Sequence, residues 1–494
     1  MWVFVLVFVS LLTVVALATV ALTARTRPIN DDAGQMLYLA WTMDALGYLP
    51  YRDFLHENMP FAFLAFQFSG RVFGFSPDGA RLADLAWTGA SLVGVAFVVA
   101  PAGRVAVLFA LGALTLLQAE PIFLLRRETV ALPALLCAVA ALGGGRLPRQ
   151  AAALVAGLGA GLAVTVRPQF VTAVAAFAFW IVWRRPQTET IGATVRHLAW
   201  LTVGVAIPLL LTGAYLLATG TWAAFADVVT DYWPLYAAFN YGPLGRTWKQ
   251  SLGFPVIYAL GSGHAWWVVA AAMGLVTAWR RGGPLRDRAV LLGALLVAFA
   301  AYPALGHNWP NHWMPFLYVA VPLSSLAFAA IARRMPLGSI AAALTVTVIA
   351  FTQLHASDEL VSRVAVNGPS YDEAELDNVA RWLRERGGGR LTVQPIDWVD
   401  GEYTVMLMAE VQLGTSNPFP LMALTFPAAA QARWWGQWVE EFNQRRPALV
   451  ILPHWMHLDI SRNARNWTAS VTPLLQDYRP ALITTRRVIY ERIP

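Results

Sequence analysis

Residues 28–60 read PINDDAGQMLYLAWTMDALGYLPYRDFLHENMP, a polar, acidic and aromatic stretch with apolar sequence on either side. The flanking runs, 3–22 and 82–100, are each long enough to cross a bilayer at ~1.5 Å per helical residue. A turn between two spans needs only a few polar residues. This one carries adjacent carboxylates, Asp31 and Asp32, then Met36, Leu39, Ala40, Met43 and Leu46 at helical spacing, then Tyr51-Arg52-Asp53-Phe54 and Pro60. The spacing predicts a helix over 33–47 lying flat on the membrane. Carboxylates are costly to desolvate beside lipid, so a pair placed there tends to have a partner or a task. Two adjacent aspartates cannot face the same way along a helix or strand. One can face a reacting group while the other orients a backbone, an arginine or a metal; alternatively, one of them N-caps the helix.

Outward from this stretch the chain is a polytopic membrane protein. Hydrophobic side chains make up 57% of its 494 residues and charged ones 13%, against a globular average of ~25% charged. Apolar runs fall at 3–22, 82–100, 105–119, 128–142, 151–166, 168–183, 199–218, 265–279, 289–304, 313–331 and 338–355, which gives about eleven transmembrane helices. The first is expected to be a retained anchor rather than a signal peptide, because it lacks a basic leader and is longer than an ordinary signal core. Twelve arginines (Arg104; Arg146 and Arg149; Arg184, Arg185 and Arg196; Arg280, Arg281, Arg286 and Arg288; Arg333 and Arg334) fall in alternate loops, opposed only by Glu189 and Asp287. The positive-inside rule then puts those loops and the N-terminus in the cytoplasm, and the Asp31 loop (23–81) and C-terminal region outside. Residues 61–75 are apolar but short, and counting them as a span would invert every later loop. They are expected to form an interfacial helix on the outer leaflet.

The net charge of +7 is spread over loops, so it speaks for topology and against nucleic acid. Cys137 is the only cysteine, which excludes a disulfide framework and a thiolate metal site. A second long external loop, 219–264, holds Trp222, Tyr232, Trp233, Tyr236, Tyr241 and Trp248 with Asp227, Asp231, Arg246 and Lys249. From 356 the transmembrane pattern stops. Ser370 and Glu373 read as a capping box, a second helix is expected at 428–443, and strands at 448–452 and 482–490. Two parts follow: a membrane part, 1–355, and an extracytoplasmic α/β domain, 356–494.

Asp-Asp-x-Gly, a helix, Gly-Tyr-Leu-Pro-Tyr-Arg-Asp-Phe and a following proline resemble the first external loop of the GT-C integral membrane glycosyltransferases, of the aminoarabinose-transferase and protein O-mannosyltransferase kind. The resemblance covers the whole architecture, but only this loop carries a motif. It implies transfer of a sugar from a polyprenyl-phosphate carrier, with inversion, to a glycan, lipid or protein acceptor on the outer face of a bacterial-type inner membrane. It also implies an acidic catalytic residue at this position. Asp31 is assigned as base and Asp32 as its support, with the reverse assignment open. Glu128, in Arg126-Arg127-Glu128-Thr129, loosely matches a second acidic residue of the family, or marks a helix end paired with arginine. Several relatives have a lysine shortly before the proline, where Asn58 and Met59 stand here; this moves the donor-phosphate contact toward Arg52, Arg167 or the basic residues Arg246 and Lys249. Tyr51, Asp53, Arg127 and His312 are further candidates for the site. No cofactor is required by the pattern, although two adjacent carboxylates are compatible with a divalent cation. A transporter or lipid flippase is the rival class, but transporters place such carboxylates near the bilayer midplane rather than in an external loop.

Overall fold

A computed structural model describes residues 29–118, 123–236, 264–304, 310–334, 373–397, 401–418, 420–462 and 468–494, with a few positions among the first 17. The expected span at 338–355, most of that at 3–22, and Ser370 lie outside these residues. Helices α1 (Asp31–Ala45) and α2 (Pro60–Phe73) come first. The expected spans from 82–100 to 313–331 then each coincide with a helix: α3 (Pro77–Val99), α4 (Arg104–Gln118), α5 (Arg127–Gly144), α6 (Arg149–Val166), α7 (Val171–Trp183), α8 (Ile191–Ala218), α10 (His264–Arg281), α11 (Gly283–Ala304) and α12 (Met314–Arg334). The short α9 (Trp222–Asp227) runs into a π turn, Val228–Tyr232. Among the described residues, Pro77–Ala102, Arg127–Gly144, Arg149–Val166, Ile191–Ala218 and Met314–Arg333 are long and apolar enough to cross a membrane, and Arg104–Gln118 and Pro168–Trp183 are shorter apolar helices.

Packing without water between helices relies on close approach of small residues. On α6, Gly157 faces Gly204 of α8 so tightly that a Cβ on it would meet the Leu201 carbonyl and the Gly204 Cα, leaving room for nothing larger. The arginine loops gather at one end of this bundle. There Arg288 donates to the Gly143 carbonyl (2.9 Å) and the Phe97 carbonyl (2.9 Å), Arg333 donates to the Ala102 carbonyl (2.6 Å), and Arg184 pairs with Asp287 (2.5 Å). The α1 stretch lies at the other end.

Helix α1 differs from its expected form. It starts two residues earlier, at Asp31, and every residue from Ala33 to Met43 is buried, so it has no face lying on lipid. A helix apolar on all sides is a buried one. The C-terminal part supplies the missing cover: α14 (Glu402–Ala409) packs along α1, the Tyr38 hydroxyl donates to the Val411 carbonyl (3.0 Å), and the Leu55 amide donates to the Ser416 carbonyl (2.6 Å). Helix α2 has fourteen residues, ~21 Å at 1.5 Å per residue, too short for a ~30 Å hydrocarbon core. It buries Ala62, Phe63, Ala65 and Phe66 while exposing Phe68 and Val72.

The C-terminal part also contains α13 (Glu373–Glu385) and α15 (Ala428–Arg445). A mixed sheet follows the order β2-β1-β3-β5-β4, from β1 (Thr392–Pro395), β2 (Gln412–Leu413), β3 (Leu449–Pro453), β4 (Tyr478–Ile483) and β5 (Arg487–Arg492). The β1–β2 and β1–β3 pairs are parallel and the β3–β5 and β4–β5 pairs antiparallel. All of β3 is buried, as a central strand covered on both faces should be. The single strand expected at 482–490 is in fact the end of β4, a turn and the start of β5. Thr484 closes the turn with its amide on the Arg487 carbonyl (2.9 Å).

Candidate active site

The first turn of α1 is set by Asn30, which caps the helix by accepting from the Ala33 amide (2.9 Å). Neither aspartate is needed as a cap. Asp31 and Asp32 instead fill the first two helical positions, where the helix dipole favours negative charge.

Asp32 turns toward the membrane helices. Its Oδ2 is paired with Arg126 and, at 3.0 Å, with Arg127 Nη2. Both arginines are buried at the N-terminus of α5, while the Asp32 side chain keeps 28% exposure and can still be reached. Burial alone would push its carboxyl up. Arg126, Arg127, Arg167 and His56 together outweigh burial and hold it well below the usual carboxylate range.

Arg127 is the hub of the cluster. Its Nη1 donates to Asn58 Oδ1 (2.7 Å) and lies 3.3 Å from Glu57 Oε1. Glu57 Oε2 is 3.0 Å from His56 Nδ1, and Asn58 Nδ2 sits 3.0 Å from the same nitrogen. Burial would raise the Glu57 carboxyl, but His56 and Arg127 bring it down to about 2. The three successive residues His56, Glu57 and Asn58 therefore belong to the site. Sequence reasoning registered Asn58 only as the absence of a lysine. Here a guanidinium arrives from α5, far along the chain, to the place where the family resemblance looks for a local cation.

A second ion pair lies alongside. Glu128 is fully buried and its Oε1 is 3.1 Å from Arg167 Nε, while Arg167 Nη1 is 3.5 Å from His312 Nε2. At zero exposure Glu128 is placed to orient Arg167 rather than to meet a substrate. Arg167 lies at the junction of α6 and α7, near enough to add to the field at Asp32. Tyr236, beyond the π turn, faces the same group. Burial raises its hydroxyl, the Glu57 and Asp32 carboxylates add to the rise, and Arg127 and Arg167 oppose it.

Asp31 looks the other way, toward the C-terminal part. Its Oδ1 accepts from the Gly401 amide at 3.1 Å. The next turn is pressed against α14: a Cβ on Gly34 would strike Thr404 Oγ1.

Other candidates stand apart. Arg52 is 53% exposed and bonded to Asp53 (Nη2 to Oδ2, 2.7 Å), which also accepts from the Leu49 amide (2.7 Å). This pair braces a surface turn. Tyr51, at φ 70°, closes the same turn, with its hydroxyl on the Asn58 carbonyl (2.6 Å) and its ring against Phe63 and Phe225. Arg246 and Lys249 lie outside the described residues. Asp31 Oδ1 and Asp32 Oδ2 engage different partners, the Gly401 amide for the first and two guanidiniums for the second. Among the described residues no three acidic or histidine side chains gather as a metal site.

An acidic helix thus lies between apolar helices on one side and a mixed sheet on the other, with arginines converging on its first turn, and solved structures share this fold. The chain is similar to ArnT from Cupriavidus metallidurans in the apo state, at 15% identity and a TM-score of 0.56 over 97% of each chain. With the same protein bound to undecaprenyl phosphate it shares 14% identity and a TM-score of 0.58, again over 97% of each chain. All of it aligns with 74% of an Archaeoglobus fulgidus oligosaccharyltransferase tethered to an acceptor peptide, at 13% identity and a TM-score of 0.48. At identities this low, the likeness to ArnT shows the fold alone. No protein-family model and no curated protein sequence matches the chain.

Proposed function

We propose that this chain is an inverting glycosyltransferase that moves a sugar from a polyprenyl-phosphate carrier to an envelope glycan, lipid or protein acceptor on the outer face of a bacterial-type inner membrane. The observation that carries this reading is the divergence of the two aspartates: Asp32 is bound by two guanidiniums, while Asp31 turns away to a backbone amide. The acceptor hydroxyl or amine attacks the anomeric carbon and passes its proton to Asp31. The bond from that carbon to the phosphate oxygen breaks, and its electron pair leaves with the polyprenyl phosphate. A positioned base is worth ~10²–10⁴-fold in rate. Charge developing on the leaving phosphate calls for preorganised positive groups, the role assigned to Arg126, Arg127 and Arg167. Asp32, Glu57 and Glu128 hold those guanidiniums in place, and His312 and Tyr236 complete the wall. ArnT bound to undecaprenyl phosphate, with its matching fold, supports a lipid phosphate as the donor's carrier.

The N-terminus is assigned to the cytoplasm and the C-terminal part to the outside, because the arginine-rich end and the carboxylate end are opposite ends of the bundle. External labelling of a cysteine placed at 146 in intact cells would reverse this. For the reaction, purified protein is expected to transfer sugar from a polyprenyl monophosphate and not from a nucleotide sugar. Arg167→Ala should raise the donor requirement, and not the acceptor requirement, by about one to two decades, since one charge-assisted contact is worth ~1.5–3 kcal/mol. Turnover of a soluble nucleotide sugar without any lipid carrier would defeat the assignment.

A further inference from the structure

We propose that Asp84, a carboxylate inside an apolar helix, is a positioning residue that latches the backbone bearing Arg126 and Arg127 in place, with Asn30 holding the other side of the same segment. This rests on the functional reading above and adds residues that touch neither donor nor acceptor.

Asp84 lies on α3 and is 1% exposed. A carboxylate in a helix of this kind is expensive unless it has a task. Its Oδ1 accepts from the Leu125 amide (2.7 Å) and from Gln118 Nε2 (3.2 Å). Gln118, the last residue of α4, also donates to the Phe123 carbonyl (3.0 Å), and its Oε1 accepts from the Tyr318 hydroxyl of α12 (3.4 Å). From the opposite side Asn30 Nδ2 donates to the Leu124 carbonyl (2.6 Å). Side chains from two helices, α3 and α4, and the cap of α1 therefore grip three consecutive residues, 123 to 125, and Tyr318 of α12 backs Gln118. Leu125 is held at φ 44°, a left-handed conformation that a leucine keeps only when its surroundings impose it. The next residues are Arg126, which precedes the first turn of α5, and Arg127, which begins it.

The consequence is geometric. Asn30 fixes the start of α1 with its Oδ1 and the arginine segment with its Nδ2. One side chain thus sets the distance between the aspartate pair and the guanidiniums. Releasing Leu125 would let Arg126 and Arg127 move together, which should weaken donor use and leave proton transfer at Asp31 largely intact. A displacement of about 1 Å at a positioning group is enough to matter.

The test compares Asp84→Asn, Asp84→Ala and Asn30→Ser. Asparagine keeps an oxygen that can accept from the Leu125 amide and should keep the donor KM within about threefold of wild type. Alanine removes it and should raise the donor KM about tenfold or more, the loss expected of a charge-assisted hydrogen bond, with kcat and acceptor KM within about threefold. Asn30→Ser retains a good N-cap but is too short to reach Leu124, and should raise the donor KM in the same direction without threatening the fold. An unchanged donor KM in Asn30→Ser, or equal changes in donor KM, acceptor KM and kcat in Asp84→Ala, would overturn the proposal. Amide hydrogen exchange over 123–127 reads the latch without any substrate. Exchange there should quicken in Asp84→Ala and stay unchanged over 149–166; identical exchange in the two proteins sinks the latch. A wild type that uses no polyprenyl-phosphate donor while the exchange effect is present would instead sink the functional reading.

Discussion

Asp31 and Asp32 are adjacent in the chain, yet the first hydrogen-bonds to the amide of Gly401, 370 positions away, and the second is held by the arginines at the start of α5. A helix turn of 100° per residue separates the two side chains, and the molecule is built to use that separation. On the Asp32 side, buried arginines alternate with carboxylates, so charge is fixed and the acid form is suppressed. On the other side, Asp31 accepts from the Gly401 amide, and the rest of the helix meets the C-terminal part through Tyr38 on the Val411 carbonyl and Gly34 against Thr404. The contrast shows how one dipeptide can meet two environments, guanidiniums on its membrane-facing half and the C-terminal part on its outward half.

The largest test breaks this comparison directly. Asp31→Asn should lower kcat by ~10²–10⁴-fold with donor affinity near wild type, because removing a base costs rate rather than binding. Asp32→Asn should instead weaken donor use and lower thermal stability, since Arg126 and Arg127 lose their shared carboxylate. The pH profile separates the two further. A carboxyl whose folded pKa is depressed stays ionised down to that lower pKa, so Asp32 does not titrate where ordinary carboxyls do. An acid limb in kcat that falls in the ordinary carboxylate range must then persist in Asp32→Asn. Loss of that limb in Asp32→Asn, with Asp31→Asn fully active, would exchange the two roles.

Several parts of this arrangement were open to a reader of the sequence. Apolar runs mark each helix from 82 to 331, the alternation of arginine loops gives the two ends, and Asp32, Arg127, Glu128, Arg167 and His312 lie in linked pairs, with Asp31 bonded away to Gly401. Those residues carry local signals: charge beside a long apolar run, or adjacency to a helix end. His56 and Glu57 gave no such signal, because their importance comes from Arg127, some seventy positions later. Asp84 was likewise invisible as a site residue; only its contact with a loop forty-one positions away explains its cost. The burial of α1 was missed for the same reason. Its recurrence at 36, 39, 40, 43 and 46 marks one apolar face, whereas the cover on its other face comes from 401–416. Arg52 misled in the opposite sense, being a basic residue inside the motif that pairs with its own neighbour.

A smaller effect sharpens the outward half. Gly34→Ala pushes a methyl group against Thr404, and overpacking of this size costs ~1–3 kcal/mol. Thermal unfolding should register that loss, and kcat should fall with it as α14 shifts against α1 and the Gly401 amide leaves Asp31. The double variant Gly34→Ala, Thr404→Ala removes the colliding oxygen and should recover both. Recovery of stability without recovery of kcat would mean that the outward contact supports the fold only, and that Asp31 needs nothing from the C-terminal part.

The smallest expected effect concerns the one arginine of the motif that stays outside the cluster. Arg52 is 53% exposed, and it pairs with the carboxylate of Asp53, an adjacent residue already tied to the Leu49 amide. Exposed ion pairs contribute little, because solvent screens them and two long side chains must be ordered to form them. Arg52→Ala should therefore leave kcat and donor KM within about twofold and thermal unfolding close to that of wild type. The measurement matters because Arg52 lies within the loop itself and Arg127 far along the chain, and only Arg127 is buried beside Asp32. A tenfold rise in donor KM from Arg52→Ala would mean that the phosphate sits on the outer side of the 49–54 turn. The division of labour between the two aspartates would then have to be redrawn, with the cations beside Asp32 serving the fold and those at the surface serving the donor.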